Sequence, residues 1–262
     1  MTSSKQVSVI TINYNNAVGL TRTINSVLSQ TFVDYEFVVV DGLSSDESIS
    51  ILEKFRSKIS HCLIEKDQGI YDAMNKGINA SCGEWIVFIN SGDEFYSEST
   101  LDLVSRNMES GTDFLYGDVL VNYPNGMENL KKANSLDLFW RKLPFSHQTL
   151  YCRSEYLKNI GFNKNYEVCA DFDFGLKNFV SGANFKHINK PLAIIEAGGK
   201  SEQGRFKIAL EVKKISIKHV PSIFHNIYFY CFAISELFVD VLKQALPNQV
   251  IQSFTRYKNS LN

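Results

Sequence analysis

The sequence predicts an α/β fold whose central, mainly parallel sheet is flanked by helices, with a helical extension at the C-terminal end. Three observations predict it. Short apolar runs rich in β-branched and aromatic residues recur at Val7–Tyr14, Phe37–Val40, Cys62–Ile64 and Trp85–Ile89, and such runs suit strands buried on both faces. Segments with helical apolar spacing stand between them, the alternation that builds a parallel sheet. Each run also stops on polar or charged residues near the carboxyl end of its strand, which is where open α/β sheets bind ligands.

In order, the strand Val7–Tyr14 ends in Asn15-Asn16, a turn and N-cap for a helix whose face is Leu20, Ile24, Val27 and Leu28. The second strand ends at Asp41. Gly42 to Asp46 turn the chain, with Asp46 placed to cap a helix carrying Ile51, Leu52 and Phe55. Cys62–Ile64 leads through Asp67-Gln68-Gly69 to a helix from Ile70, where Ile70, Ala73, Met74, Gly77 and Ile78 share one face and Asp72, Asn75, Lys76 and Asn79 lie off it. The strand Trp85–Ile89 is the central one and runs into Asn90-Ser91-Gly92-Asp93. A helix over residues 99–110 and a strand over Phe114–Val121 follow.

Beyond Asn122 the pattern weakens. Pro124-Asn125-Gly126 is a turn, Leu136–Trp140 a short helix, Phe145–Tyr151 a strand, and Gly161–Cys169 a loop before a helix starting near Ala170 with Phe172, Leu176 and Phe179 as its stripe. Ala193–Ile195 is a last short strand before the polar loop Gly198-Gly199-Lys200-Ser201. The expected division is residues 1–200, with a first half to about 100 and a second half from 101, and an extension over 201–262.

That extension changes character. From Lys200 to His219 six basic residues face two acids, and an apolar run, Ile223–Leu246, follows Pro221. His225, Asn226, Glu236, Asp240 and Lys243 interrupt the run, so it is too broken to span a bilayer. Its composition suits an interfacial membrane anchor; a helix packed on its own domain and a subunit interface are the alternatives.

The 262 residues allow one large α/β domain with an appendage. With 27 Lys plus Arg against 28 Asp plus Glu, no general drive towards nucleic acid exists. Five scattered cysteines without a C-x-x-C pair argue against a disulfide framework or a zinc site and fit a reducing cytosol. Met1–Gln6 lacks a basic region followed by an apolar one, so a cytoplasmic protein is expected.

Four pieces, in this order and spacing, resemble the family 2 nucleotide-sugar-dependent glycosyltransferases. They are Val9–Asn15 with Ser26–Phe32; Glu36–Asp46, similar to the family's strand and Asp-Gly-x-Ser-x-Asp; Asp67–Gly77; and Gly83–Asp93. The likeness is good over residues 7–101, looser at Ala170–Lys177 and fades after Ser201. It implies a Rossmann-like GT-A fold. The Gly69–Gly77 run resembles bacterial enzymes that build surface polysaccharides.

The resemblance implies roles. Asp41 would accept hydrogen bonds from the nucleotide's base or ribose and Asp67 would make a second nucleotide contact; read singly, the two are a turn former and a helix cap. Asp93 matches the last acid of the family's Asp-x-Asp motif, which holds Mg²⁺ or Mn²⁺ on the diphosphate. The preceding Asn90, Ser91 and Gly92 depart from that pattern, leaving the metal to Asp93, phosphate oxygens and water. Asp171, within Ala170-Asp171-Phe172-Asp173, stands where the family has its catalytic base. Its alternative role is a helix cap, with Asp173 on the surface. Lys76, grouped with the donor-binding residues, and His147, Gln148 and Lys200 are further candidates, whereas His219 is set aside as a metal ligand.

The implied reaction moves a sugar, of the hexosyl or N-acetylhexosaminyl class, from a nucleotide diphosphate-sugar, UDP first among them, to a hydroxyl of a glycan or lipid-linked acceptor with inversion. A non-catalytic nucleotide-sugar-binding scaffold on a membrane assembly is the alternative. A nucleotidyltransferase fits less well, because Thr11–Gly19 is not a Gly-rich phosphate loop.

Overall fold

In the computed structural model the described residues are 5–197 and 205–232. The chain divides into two compact units, residues 1–203 and 204–262. The first begins with β1 (Val7–Asn13), α1 (Ala17–Leu28), β2 (Tyr35–Asp41), α2 (Ser48–Lys54), β3 (His61–Ile64), α3 (Ile70–Ala80) and β4 (Trp85–Phe88). These four strands lie side by side in the order β3-β2-β1-β4, all parallel. Every residue of β1 and β4 is buried, as continuous apolar runs covered on both faces require. Each such Val or Ile contributes about 1.5–3 kcal/mol of burial.

The second half is mixed. It comprises β5 (Glu94–Phe95), α4 (Thr100–Ser105), β6 (Phe114–Asn122), β7 (Glu128–Lys131), β8 (Tyr151–Arg153), α5 (Ser154–Ile160), α6 (Ala170–Val180) and β9 (Phe185–Glu196). The sheet continues from β4 through β8, β6 and β9 to β5, with β7 beside β6. Here only β6 and β9 pair in parallel; β8 runs antiparallel to both β4 and β6. The second unit contains α7 (Arg205–His219) and a helical stretch over residues 223–232.

Several expectations change. Residues 145–151 are not one strand: a single 3-10 turn, His147–Thr149, precedes the three-residue β8, because Thr149 Oγ1 bonds the carbonyls of Ser146 and Gly117 and closes the turn. On α3 the buried aromatic is Tyr71, with Ile70 only partly covered. α4 is shorter than predicted, β9 is far longer, and α5 lies where no helix was expected. Asp173 is buried, not on the surface. Asp46 does serve a helix start, accepting from the Ser48 N–H, and also accepts from the Ala17 N–H at the start of α1.

Candidate active site

The parallel register brings Asn13 and Asp41 level at the carboxyl ends of β1 and β2. Asp41 is fully buried. Its Oδ1 accepts from the Ser44 N–H at 2.7 Å, and its Oδ2 accepts from Asn13 Nδ2 at 2.6 Å and Ser44 Oγ at 2.8 Å. A carboxylate offers about four acceptor positions, so three are used in locking the corner. Asn13 Oδ1 is buried with no partner among the described residues, an acceptor left over in the same place. The loops that leave the two strands hold Asn15 and Leu43 at φ 49° and 65°, sparsely populated for residues with a side chain.

Asp67 lies against this corner. Its Oδ2 would come within 2.3 Å of a Cβ added at Gly42, and its Oδ1 accepts from the Gly69 N–H at 2.9 Å. Only a glycine at 42 leaves the carboxyl that position. Lys76 serves the same loop: its Nζ donates to the Lys66 carbonyl at 2.7 Å and pairs with Glu65 Oε1 at 3.0 Å. Its charge is also 3.8 Å from Asp72 Oδ2 on its own helix.

Beyond β4 the chain turns through Asn90–Asp93, with Gly92 at φ 105°. Residues of α1 and the loop before it hold the turn. Thr23 Oγ1 accepts the Gly92 N–H at 3.0 Å and meets the carbonyls of Asn90 and Asp93 at 3.1 and 2.7 Å, while Asn16 Nδ2 donates to the Ser91 carbonyl at 3.0 Å. Asn16 also caps α1 through the Gly19 N–H. Gln148 Nε2 donates to Asp93 Oδ2 at 2.9 Å. Burial raises the pKa of Asp93 to about 7 against the opposing effect of that hydrogen bond. Asp93 makes no ion pair among the described residues, and Asn90 Oδ1 is buried without a partner. A hard divalent cation suits such oxygens. No group of three His, Cys, Asp or Glu gathers among the described residues, so this set of oxygens fits a cation shared with a diphosphate.

Asp171 sits in the first turn of α6, where the helix dipole favours a negative charge. Its Oδ1 accepts from the Phe172 N–H at 2.9 Å, and the Tyr71 hydroxyl, 3.2 Å from that oxygen, also donates to the Val168 carbonyl at 2.5 Å. Burial pushes the Tyr71 phenol far up, so it stays protonated. Oδ2 accepts no hydrogen bond among the described residues and has His147 Nδ1 at 3.7 Å. Burial lowers the pKa of His147, keeping the ring neutral.

Consecutive residues of the 3-10 turn therefore meet two distant carboxylates, Gln148 on Asp93 and His147 beside Asp171. The structure gathers Asp41 with Asp67, and Asp93 and Asp171 about one turn. Asn16 and Ser91 join the first corner's loop to the second. Lys200 lies outside the described residues, and His219 ends α7 in the second unit. The residues missed by sequence reasoning are Asn13, Asn90 and Tyr71. Tyr71 lay inside the Gly-Ile-Tyr-Asp run, and its neighbour Ile70 took its place in the apolar count.

The model of Glycosyl transferase family 2 matches residues 8–168. The chain belongs to this family. A PGL/p-HBAD biosynthesis glycosyltransferase of Mycobacterium bovis is 34% identical over 182 residues, covering 67% of this chain and 70% of that one. Staphylococcus aureus TarS 1–349 in complex with UDP-GlcNAc superposes on the family 2 chain with a TM-score of 0.66 at 19% identity, covering 87% of this chain and 71% of that chain. Against another, longer TarS structure the match covers 43% of the neighbour. A mannosyltransferase of Pyrobaculum calidifontis, in complex with GDP-Man and Mn²⁺, has a TM-score of 0.66 at 16% identity, covering 99% of this chain and 81% of that one. These likenesses make the sheet and its helices a GT-A fold.

Proposed function

We propose that this family 2 glycosyltransferase moves a hexosyl or N-acetylhexosaminyl group from a nucleotide diphosphate-sugar to a hydroxyl of a glycan or lipid-linked saccharide, with inversion, in the building of a bacterial surface polysaccharide or glycolipid. The observation that carries the reading is the 3-10 turn whose His147 and Gln148 meet Asp171 and Asp93: a carboxylate with an open oxygen and a diphosphate corner share one support. Asn13 Oδ1, buried without a partner among the described residues, and the buried Asp41 stand at the corner assigned to the base or ribose, where both must be uncovered for contact, and Asp67 adds a carboxylate beside Gly42. UDP is the first nucleotide to test, in keeping with the UDP-GlcNAc held by a structural neighbour.

Asp93 would hold Mg²⁺ or Mn²⁺, which offsets the charge gathering on the departing diphosphate. Asp171 Oδ2 takes the proton of the acceptor hydroxyl as that oxygen attacks the anomeric carbon from the face opposite the diphosphate. The bond to the phosphate oxygen breaks with its electron pair, so one displacement inverts the configuration. Asp93→Ala and Asp171→Asn, assayed with donor and acceptor supplied, are each expected to lower turnover by at least about 100-fold. Full rates in both would overturn the role assignment. Nucleotide-sugar binding without turnover by the native protein would favour the scaffold reading, for which the absence of a second acid at Asn90-Ser91-Gly92 speaks.

The second unit supports a membrane contact on the cytoplasmic face. Ile223, Phe224, Ile227 and Tyr230 share one helical face and are 72%, 77%, 55% and 61% exposed, next to a lysine-rich helix. No helix among the described residues is long and apolar enough to cross a membrane. Removing residues 222–262 is expected to abolish sedimentation with anionic vesicles; undiminished binding would leave a subunit interface, visible as a dimer by light scattering.

A further inference from the structure

His147 is a costly residue where it stands. Both ring nitrogens are buried without a hydrogen-bond partner among the described residues, and each such group carries a desolvation cost of about 1–3 kcal/mol. The ring is wedged between Phe88 at 5.3 Å and Phe162 at 5.9 Å, and Phe162 also contacts Tyr71 at 5.6 Å. A phenylalanine would fill such a slot without the cost. Unsatisfied groups of this kind are rare and concentrate where function needs them.

The neighbourhood identifies the need. Among the described residues the ionisable groups recorded against Asp171 are Tyr71 from α3 and His147 from the 3-10 turn, and Cys169, at the start of its own helix, acts on Tyr71. The Phe172 N–H and the Tyr71 hydroxyl both address Oδ1. Among the described residues Oδ2 has only His147 Nδ1, at 3.7 Å, longer than a hydrogen bond. Hydrogen bonds of catalytic groups are often long before substrate binds and tighten in the complex. A neutral imidazole carries one N–H, and a carboxylate can only accept, so the tautomer that suits this contact has its proton on Nδ1.

We propose that His147 is the positioning residue of the base: its Nδ1–H closes on Asp171 Oδ2 in the loaded enzyme and fixes the carboxylate so that the remaining lone pair of Oδ2 meets the acceptor hydroxyl. The proposal rests on the reading of Asp171 as the base. His147 neither gains nor loses a proton in the step; the hydroxyl proton ends on Asp171. Because Gln148 of the same turn holds Asp93, the orientation of the base is coupled to the diphosphate corner through the backbone of two adjacent residues.

The test exploits the difference between packing and donation. His147→Phe keeps an aromatic ring between Phe88 and Phe162 and removes the donor; His147→Asn and His147→Gln lose ring contacts and restore an N–H. With full-length protein, a UDP-sugar donor and a saccharide acceptor, His147→Phe is expected to lower kcat about 10- to 100-fold with the KM for donor unchanged, and Asn or Gln to recover at least a third of the native rate. A native kcat in the Phe variant overturns the proposal, as does failure of both amide variants to exceed it. Thermal melts and UDP binding identify any variant that does not fold. Asp171→Asn is the control: if it keeps full turnover, the reading of the base falls; if it is inactive while His147→Phe is not, only the role of His147 falls.

Discussion

Gln148 Nε2 donates to Asp93 Oδ2 at 2.9 Å, although the two residues stand 55 positions apart in the chain. The contact fixes one oxygen of the carboxylate proposed to serve the diphosphate, and Ser146 Oγ, donating to Gln148 Oε1 at 2.7 Å, sets which way the amide points. Gln148→Ala should weaken donor affinity about 10- to 100-fold, since hydrogen bonds to charged groups contribute about 1.5–3 kcal/mol. Calorimetric titration with UDP and Mn²⁺ measures it. Unchanged affinity would mean that Asp93 needs no support from this turn.

Gly42→Ala is expected to act on binding more than on stability. The added methyl collides with the Asp67 carboxyl, the end of a side chain that can swing away. Donor affinity should fall while the unfolding midpoint moves by only a few degrees. In a double-mutant cycle with Asp67→Ala the two losses should be strongly non-additive. Additive losses would show that the two residues contribute independently.

Thr23→Val is predicted to affect both. The hydroxyl serves the Gly92 N–H and two carbonyls of the 90–93 turn, and an isosteric methyl leaves them unsatisfied at a cost of about 1–3 kcal/mol. Urea unfolding should report that loss, and turnover should fall because Asp93 belongs to the same turn. A variant as stable as the native protein would refute the bracing role.

Glu36 sets an acid limit on stability. Burial pushes its carboxyl up, but the Ser8 hydroxyl, the N–H groups of Cys82 and Gly83 and the Cys82 thiol outweigh it and hold the pKa below the usual carboxylate range. A depressed folded value means stabilisation fully present above the unfolded pKa of about 4.3 and lost as pH falls through the folded value. Glu36→Gln should therefore be less stable than the native protein at pH 7, and the gap should narrow below about pH 4. A gap independent of pH in urea titrations would contradict this.

The first half of the fold was legible because its signals are local. Strand runs such as Trp85–Ile89 and the helical spacing of Leu20, Ile24 and Val27 state their own burial, and Asn16 and Asp46 state where helices start. The weak region from 122 to 168 was not legible for a physical reason. β8 is three residues long and is defined by its partners on β4 and β6, and the turn before it is closed by a bond to Gly117. Nothing periodic in 145–151 carries that information. The carboxylates Asp41, Asp67, Asp93 and Asp171 could be picked out by motif, whereas the attachment of His147 and Gln148 to two of them is a matter of tertiary distance. Tyr71 was hidden by its own chemistry: a large ring buried for its apolar area whose hydroxyl faces the site.

The place of β8 in the sheet has a consequence for synthesis. β4 has β1 on one side and β8 on the other, so a nascent chain that has already emerged through Phe88 can assemble β1 to β4 yet leaves the outer edge of β4 bare until residues 151–153 leave the ribosome. That edge is Trp-Ile-Val-Phe, the kind of apolar strand that captures other chains. Until residues 151–153 emerge the edge is unpaired and open to another chain.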